Sequence, residues 1–316
     1  MAAALAAALV IQVGAADAGG FRRAKRAATK MAPTRGIVRE FENARIHGSI
    51  RTVGGSNGGR LVEVAYNGIS KGIFKPAAGE GPGRVWLMGR VKVGTYYRRD
   101  VAAWRLSVAI GLGAVPPTVQ RIFEGKVGSL QFWRDDARSL SDFSPGPGGP
   151  QFDRAAAERV RAFDFILGNA DRKAANMLVA VDESSGAARY EPVAIDHGSS
   201  LPLTGRFEFR WPLEWIQTHD GPVLEETRAF LRGIDPTQVA ESLSSAGIER
   251  KAVVRALYRL ERLKRDPDFL ALGPAGGMKG ARQMLRRMRW AAAMQPDQQL
   301  PRAARRDLAR VADAFY

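Results

Sequence analysis

In the second half of the chain two apolar runs, NMLVAV (residues 176–181) and EPVAID (residues 191–196), flank a polar, Gly-containing turn. Short runs of this kind, bounded by turn formers, read as strands, and two around one turn make an antiparallel hairpin. A hairpin brings its two outer ends together whatever the rest of the chain does. Pairing centred on Gly186 sets Asn176 opposite Asp196, so an amide oxygen and a carboxylate are expected to meet at the open end. Just upstream, GNADRKAAN places Asp171 in the loop that leads into the first strand.

Composition narrows what such a cluster can do. The 316 residues include no Cys and three His. That excludes thiol nucleophiles, disulfides and Cys-ligated metals, and it disfavours a His-rich zinc site. A metal would be held through oxygen, which leaves Mg²⁺, Mn²⁺ or Ca²⁺. Asn176 and Asp196 suit Mg²⁺, which takes one or two protein oxygens and keeps water or phosphate as its other ligands. Asp171 is then within reach as a base or as a group that orients an acceptor. Each of the three alone also fits a strand-end or turn cap, and it is their spacing together that points to chemistry.

The first half supplies a second hairpin. RLVEVAYNGISKGIFKP carries Asn67-Gly68, a two-residue turn signal between β-type runs, and pairing about it sets Lys75 opposite Arg60. Arg60 follows the Gly-rich stretch GGSNGG, residues 54–59. Backbone amides of Gly54, Gly55, Ser56 and Asn57 can approach phosphate oxygens closely, and a strand Lys can neutralise them. RRDVAAWRLSVAIGLG reads as a helix with Val101, Trp104 and Val108 on one face, ended by glycines. VPPTVQRIF and KVGSLQFW read as strands joined at Glu124-Gly125, and the Pro/Gly-rich residues 144–150 as a seam between lobes. Beyond it the pattern is mostly helical. Val160, Phe163 and Leu167 share a face that ends at Gly168, and further helices are expected near 223–232, 236–246, 249–265, 277–294 and 301–315.

These parts arrive in the order Gly-rich loop, strand Lys, helix acid, Asp-x4-Asn, metal-binding Asp, which is the order of a kinase. The segments FKP, DVAAWRLSVAIGLGAVPPTV, LGNADRKAAN and AIDHGSS resemble the atypical-kinase group, which holds phosphoinositide 3/4-kinase-like, bacterial HipA-like and secretory-pathway kinases. The resemblance runs from about Gly54 to Ser200. It implies an α+β, two-lobed protein-kinase-like fold with a β-rich N-lobe (residues 44–143) and a mainly helical C-lobe (residues 144–316). It also implies ATP with Mg²⁺, or Mn²⁺, between the lobes.

Residue by residue, the resemblance casts Lys75 as the phosphate-contacting Lys and Asp171 as the catalytic Asp. Asn176 and Asp196 become the metal ligands, and Gln131, Phe132 and Trp133 the interlobe segment whose backbone meets adenine. Two positions depart from the pattern. Asp100 stands where the group usually has the Glu that holds the Lys, so a looser pair or a shifted helix is expected. Lys173 stands where His is common, and can contact the transferring phosphate or simply be solvated. His197, beside Asp196, can tune the metal or serve packing and hydrogen bonding.

The expected partners are a nucleotide and a hydroxyl acceptor, a protein Ser/Thr or a lipid or other small molecule. A net charge of +16 suits an anionic partner, or reflects Arg-rich usage alone, and no nucleic-acid module accompanies it. The basic helix ERKAVVRALYRLERLKRD could dock an anionic surface or be a solvated face, and FEFRWPLEW could shape an acceptor groove or pack a core. Residues 1–18 end in a small-x-small pattern and read as a signal peptide lacking the usual basic start, or as an Ala-rich extension. Cleavage would imply a secreted or periplasmic protein, and no cleavage a cytoplasmic one. Residues 19–43 read as a basic disordered linker. Two rival functions share the fold: a catalytically silent nucleotide-binding scaffold and an AMP transferase.

Overall fold

The structure is a computed structural model that describes residues 41, 43–52, 59–65, 69–81, 91–144, 149–182, 189–203, 222–270 and 301–316. The stretch 54–57, the first 40 residues, the aromatic cluster 207–215 and the helix expected at 277–294 lie outside the described residues.

The N-terminal part is an antiparallel sheet of β1 (Arg45–Thr52), β2 (Arg60–Ala65), β3 (Ile69–Pro76), β4 (Thr118–Phe123) and β5 (Lys126–Phe132). Their order across the sheet is β1-β2-β3-β5-β4. Glu124 and Gly125 both take positive φ, 49° and 71°, as a type I′ hairpin turn between β4 and β5 requires. Helix α1 (Tyr96–Ala109) crosses between β3 and β4 in sequence and buries Val101, Ala102, Trp104 and Leu106 with Val62, Val64, Phe74, Val119 and Leu130 of the sheet. Val108 corrects the expected face, since it is 42% exposed near the end of the helix.

The first hairpin pairs one residue away from expectation. Ala65 lies opposite Ile69 and Arg60 opposite Phe74, so the connection holds three residues, not two. A one-residue slip exchanges the faces of a strand. Lys75 is therefore not opposite Arg60. It is paired across to Ser129 of β5, and both side chains reach the same acid on α1.

In the C-terminal part β6 (Ala137–Ser139), β7 (Met177–Asp182) and β8 (Arg189–Ala194) form a second sheet in the order β6-β7-β8. The chain thus passes from one sheet to the other between Phe132 and Ala137, ahead of the Pro/Gly-rich stretch. Helix α2 (Arg154–Leu167) starts at Asp153, whose side chain accepts from the Ala156 amide, and ends at Gly168 with φ 64°. Val160, Phe163 and Leu167 are all buried on it. Helices α3 (Glu225–Gly233), α4 (Pro236–Ser244), α5 (Arg250–Arg265) and α6 (Arg302–Asp313) complete the described residues.

The second hairpin also slips by one residue. Met177 pairs with Ala194, which sets Asn176 across from Ile195 rather than Asp196, and the Ile195 amide donates to the Asn176 carbonyl at 3.1 Å. Asp196 follows the last bonded position, where the strand breaks into positive φ, 55°. The basic helix α5 buries one face in the core. Ala252, Val253, Ala256, Leu257, Leu260 and Leu263 are buried, Arg259 is buried with Nε on the Ile166 carbonyl at 2.8 Å, and within α5 only Arg250, Lys251 and Arg265 are exposed. Among the described residues no helix is long and apolar enough to cross a membrane.

Candidate active site

Three elements converge on Lys75. Its Nζ donates to Asp100 Oδ2 on α1 at 3.2 Å and to Asp196 Oδ1 after β8 at 3.0 Å. The shorter acid has not loosened the pair. The two carboxylates differ in access: the Asp100 side chain is 3% exposed and that of Asp196 37%. Burial works against the Lys75 ammonium, but Asp100 and Asp196 together outweigh it and hold its pKa above the ordinary lysine value. Lys75 in turn holds Asp196 below the usual carboxylate range, against the effect of burial. Burial raises Asp100, with Lys75 opposing. The geometry thus leaves one acid as a fixed support and the other facing outward in its ionised form.

Several residues that sequence reasoning passed over place this support. Glu80, a few residues beyond Lys75, accepts from the amides of Tyr96 and Tyr97, each at 2.9 Å. A carboxylate at a helix N-terminus satisfies orphan donors and suits the helix dipole, so it ties the end of β3 to the start of α1. Asp100 Oδ1 accepts the His197 amide at 2.7 Å, and Arg99, fully buried, donates to the Ser200 carbonyl at 2.9 Å. Helix α1 is thereby bonded at two successive residues to the segment after Asp196.

The second cluster sits on the loop after α2. Asn176 Nδ2 donates to the Asp171 carbonyl at 2.8 Å and to its Oδ2 at 3.3 Å, which leaves Oδ1 as the end available to a cation. Lys173 Nζ lies 3.2 Å from Asp171 Oδ2 with its side chain 56% exposed. Asn169 accepts the Asp171 amide at 3.1 Å and donates to Asp164 at 2.9 Å. His197 is buried against the Phe163 ring, and burial, with the charges of Arg172 and Lys75, depresses its pKa well below the ordinary histidine value. It serves packing and hydrogen bonding. Asp164 had one visible signal: it is a lone acid inside the apolar run of residues 163–167.

The strand end Gln131–Trp133 is tied into the sheet. The Gln131 side chain is buried and donates to Thr118 at 2.8 Å. The amides of Phe132 and Trp133 donate to the carbonyls of Pro117 and Lys71, at 2.8 and 3.0 Å.

Among the described residues no group of three or more His, Cys, Asp or Glu could hold a metal by itself. The donor set of one outward carboxylate and one amide oxygen fits a hard cation that completes its shell with water and phosphate.

Residues 125–260 match the phosphatidylinositol 3- and 4-kinase family, a stretch that holds the Asp171 loop and Asp196 and leaves Lys75 and Asp100 upstream. Phosphatidylinositol 4-kinase gamma 4 of Arabidopsis thaliana is 27% identical over 251 residues, covering 68% of this chain and 42% of the relative. The protein of the same description from Oryza sativa subsp. japonica is 33% identical over 178 residues, covering 51% of this chain and 29% of the relative. The chain thus spans less than half the length of these curated relatives. A crystal structure of the Golgi casein kinase with Mn/ADP bound aligns at TM-score 0.43 and 12% identity, over 82% of this chain and 78% of that one. The chain resembles the atypical kinases, with a β-rich N-terminal part and a mainly helical C-terminal part.

Proposed function

We propose that this chain is a phosphotransferase that uses ATP and a divalent cation, Mg²⁺ or Mn²⁺, to move the γ-phosphoryl group to a hydroxyl. The observation that carries the reading is the pair of clusters: Lys75 bridging a buried and an outward acid, and Asp171 bonded to Asn176 beside them. Asp196 and Asn176 would hold the cation, which supplies charge neutralisation on the phosphates when bound. Lys75, kept charged by Asp100, neutralises phosphate oxygens as charge develops in transfer. Asp171 orients the acceptor hydroxyl and takes its proton as the hydroxyl oxygen bonds to the γ-phosphorus and the bond to ADP breaks. Lys173 is a point charge at the same edge.

The acceptor is a protein Ser/Thr or the hydroxyl of a lipid or small molecule, and the names of the relatives bring phosphatidylinositol into that set. The test is incubation with Mg²⁺ and ATP labelled at the α- or the γ-phosphate, with phosphatidylinositol vesicles and with dephosphorylated casein. Transfer of the γ label supports the proposal and its acceptor identifies the class. Transfer of the α label means AMP addition, and nucleotide binding without transfer means a scaffold.

A further inference from the structure

We infer that Arg172 is a positioning residue that sets the separation of the two proposed cation ligands, Asn176 and Asp196. Its side chain, next in sequence to Asp171, is fully buried. Nε and Nη2 donate to Asp164 Oδ2 and Oδ1 at 2.7 and 2.9 Å, which fixes the plane of the guanidinium on α2. Nη1 donates to the Asn176 carbonyl and, at 2.7 Å, to that of Ile195. Nη2 also meets His197 Nε2 at 2.9 Å. Each N–H of the guanidinium therefore has an acceptor. A guanidinium only donates, so Nε2 of His197 accepts and its proton resides on Nδ1.

The placement of two of these bonds is what matters. The paired strands β7 and β8 end at Met177 and Ala194, one further backbone bond joins the Ile195 amide to the Asn176 carbonyl, and the proposed ligands lie at and just after it. Past the ladder, one nitrogen of Arg172 grips the backbone of Asn176 itself and of the residue before Asp196. His197, the residue after Asp196, is held by the same guanidinium. Beside the Ile195 amide on the Asn176 carbonyl and the His197 amide on Asp100, both ligands are thus tied through their backbone to a single fork anchored on α2. Lys cannot reproduce this, since a point charge with three donors cannot hold five acceptors in one plane.

This inference rests on the reading of Asn176 and Asp196 as cation ligands, and its test separates the two. Binding of a fluorescent ATP analogue is titrated with Mg²⁺ from zero to saturation in the parent, Arg172→Lys, Asp164→Asn and Asp196→Ala. Substitution around metal ligands typically costs 10–100-fold in metal affinity, so the Mg²⁺ half-saturation should rise at least about tenfold in Arg172→Lys and to a lesser degree in Asp164→Asn. Binding without metal should stay near the parent value in both. Unchanged Mg²⁺ half-saturation in Arg172→Lys overturns the inference, and so does an equal loss of metal-free and metal-dependent binding, the mark of a merely structural role. If the parent shows no Mg²⁺ dependence, or Asp196→Ala keeps it, the cation reading itself fails.

Discussion

Gly128 in β5 lies opposite Pro76, directly beside the backbone of Lys75. A Cβ built at 128 falls 2.9 Å from both the Lys75 carbonyl carbon and Pro76 Cα, and closer still to the Lys75 carbonyl oxygen, where ordinary contact begins at 3.4 Å. All three atoms are backbone, so no side chain can swing aside, and β3 and β5 must part by something on the order of 1 Å. Overpacking of this kind costs typically about 1–3 kcal/mol. The same displacement acts on the site. The Lys75 bonds to Asp100 and Asp196, at 3.2 and 3.0 Å, have little length to spare before they pass out of hydrogen-bond range. Weakening one charge-assisted bond costs about 1.5–3 kcal/mol, roughly a 10- to 100-fold effect on whatever Lys75 binds. Gly128→Ala should therefore lower the urea midpoint and weaken binding of a fluorescent ATP analogue. Gly48→Ala on the edge strand β1 is the control, because its Cβ meets nothing within 4 Å. That change should be neutral or add up to about 1 kcal/mol. If the two variants match in stability and in nucleotide binding, the close approach of β5 to Lys75 is not what the geometry implies.

Asp196→Ala should impair metal-dependent nucleotide binding and turnover together, whereas Asp171→Asn should keep nucleotide affinity and lose about 10²–10⁴-fold in turnover. Equal loss of binding in both would end this division of roles, and full activity in Asp171→Asn would end the kinase mechanism. Asp100→Glu, which restores the residue usual in the resembled group, should destabilise by about 1–3 kcal/mol, because the 3%-exposed carboxylate already meets Lys75 and the His197 amide and has no room for a methylene. A thermal-shift rise in that variant would contradict the packing. Burial keeps His197 neutral in the fold, well below its ordinary 6.5. An unfolded chain protonates first as pH falls, so this stability is present above about pH 6.5 and is lost below it, by at most about 1.4 kcal/mol per pH unit. Urea midpoints at pH 7 and pH 5 should differ less in His197→Gln than in the parent; an equal drop would assign the acid sensitivity elsewhere.

Much of the architecture was legible along the chain because its causes are local. Glu124-Gly125 marks a turn, Gly168 marks a helix end, and Val160, Phe163 and Leu167 mark a buried face whatever lies further away. The spacing of Asp171, Asn176 and Asp196 was visible for the same reason. Register was not. Both hairpins pair one residue from the sequence reading, since turn length is decided by how the finished strands twist and pack, and side-chain period two turns a single-residue error into a change of face. Nor did sequence distinguish the basic residues by environment. Lys173 and Arg172 are neighbours in the chain, yet one side chain is 56% exposed and the other fully buried with every donor satisfied. Asp164, His197 and the carbonyls of Asn176 and Ile195 come from separate stretches of the chain, and only their assembly makes the charge of Arg172 tolerable inside. The sequence by itself determined which residue types can do the chemistry. Tertiary structure decided which of them are held and which are free, because the cost of burying a charge depends on partners distant along the chain.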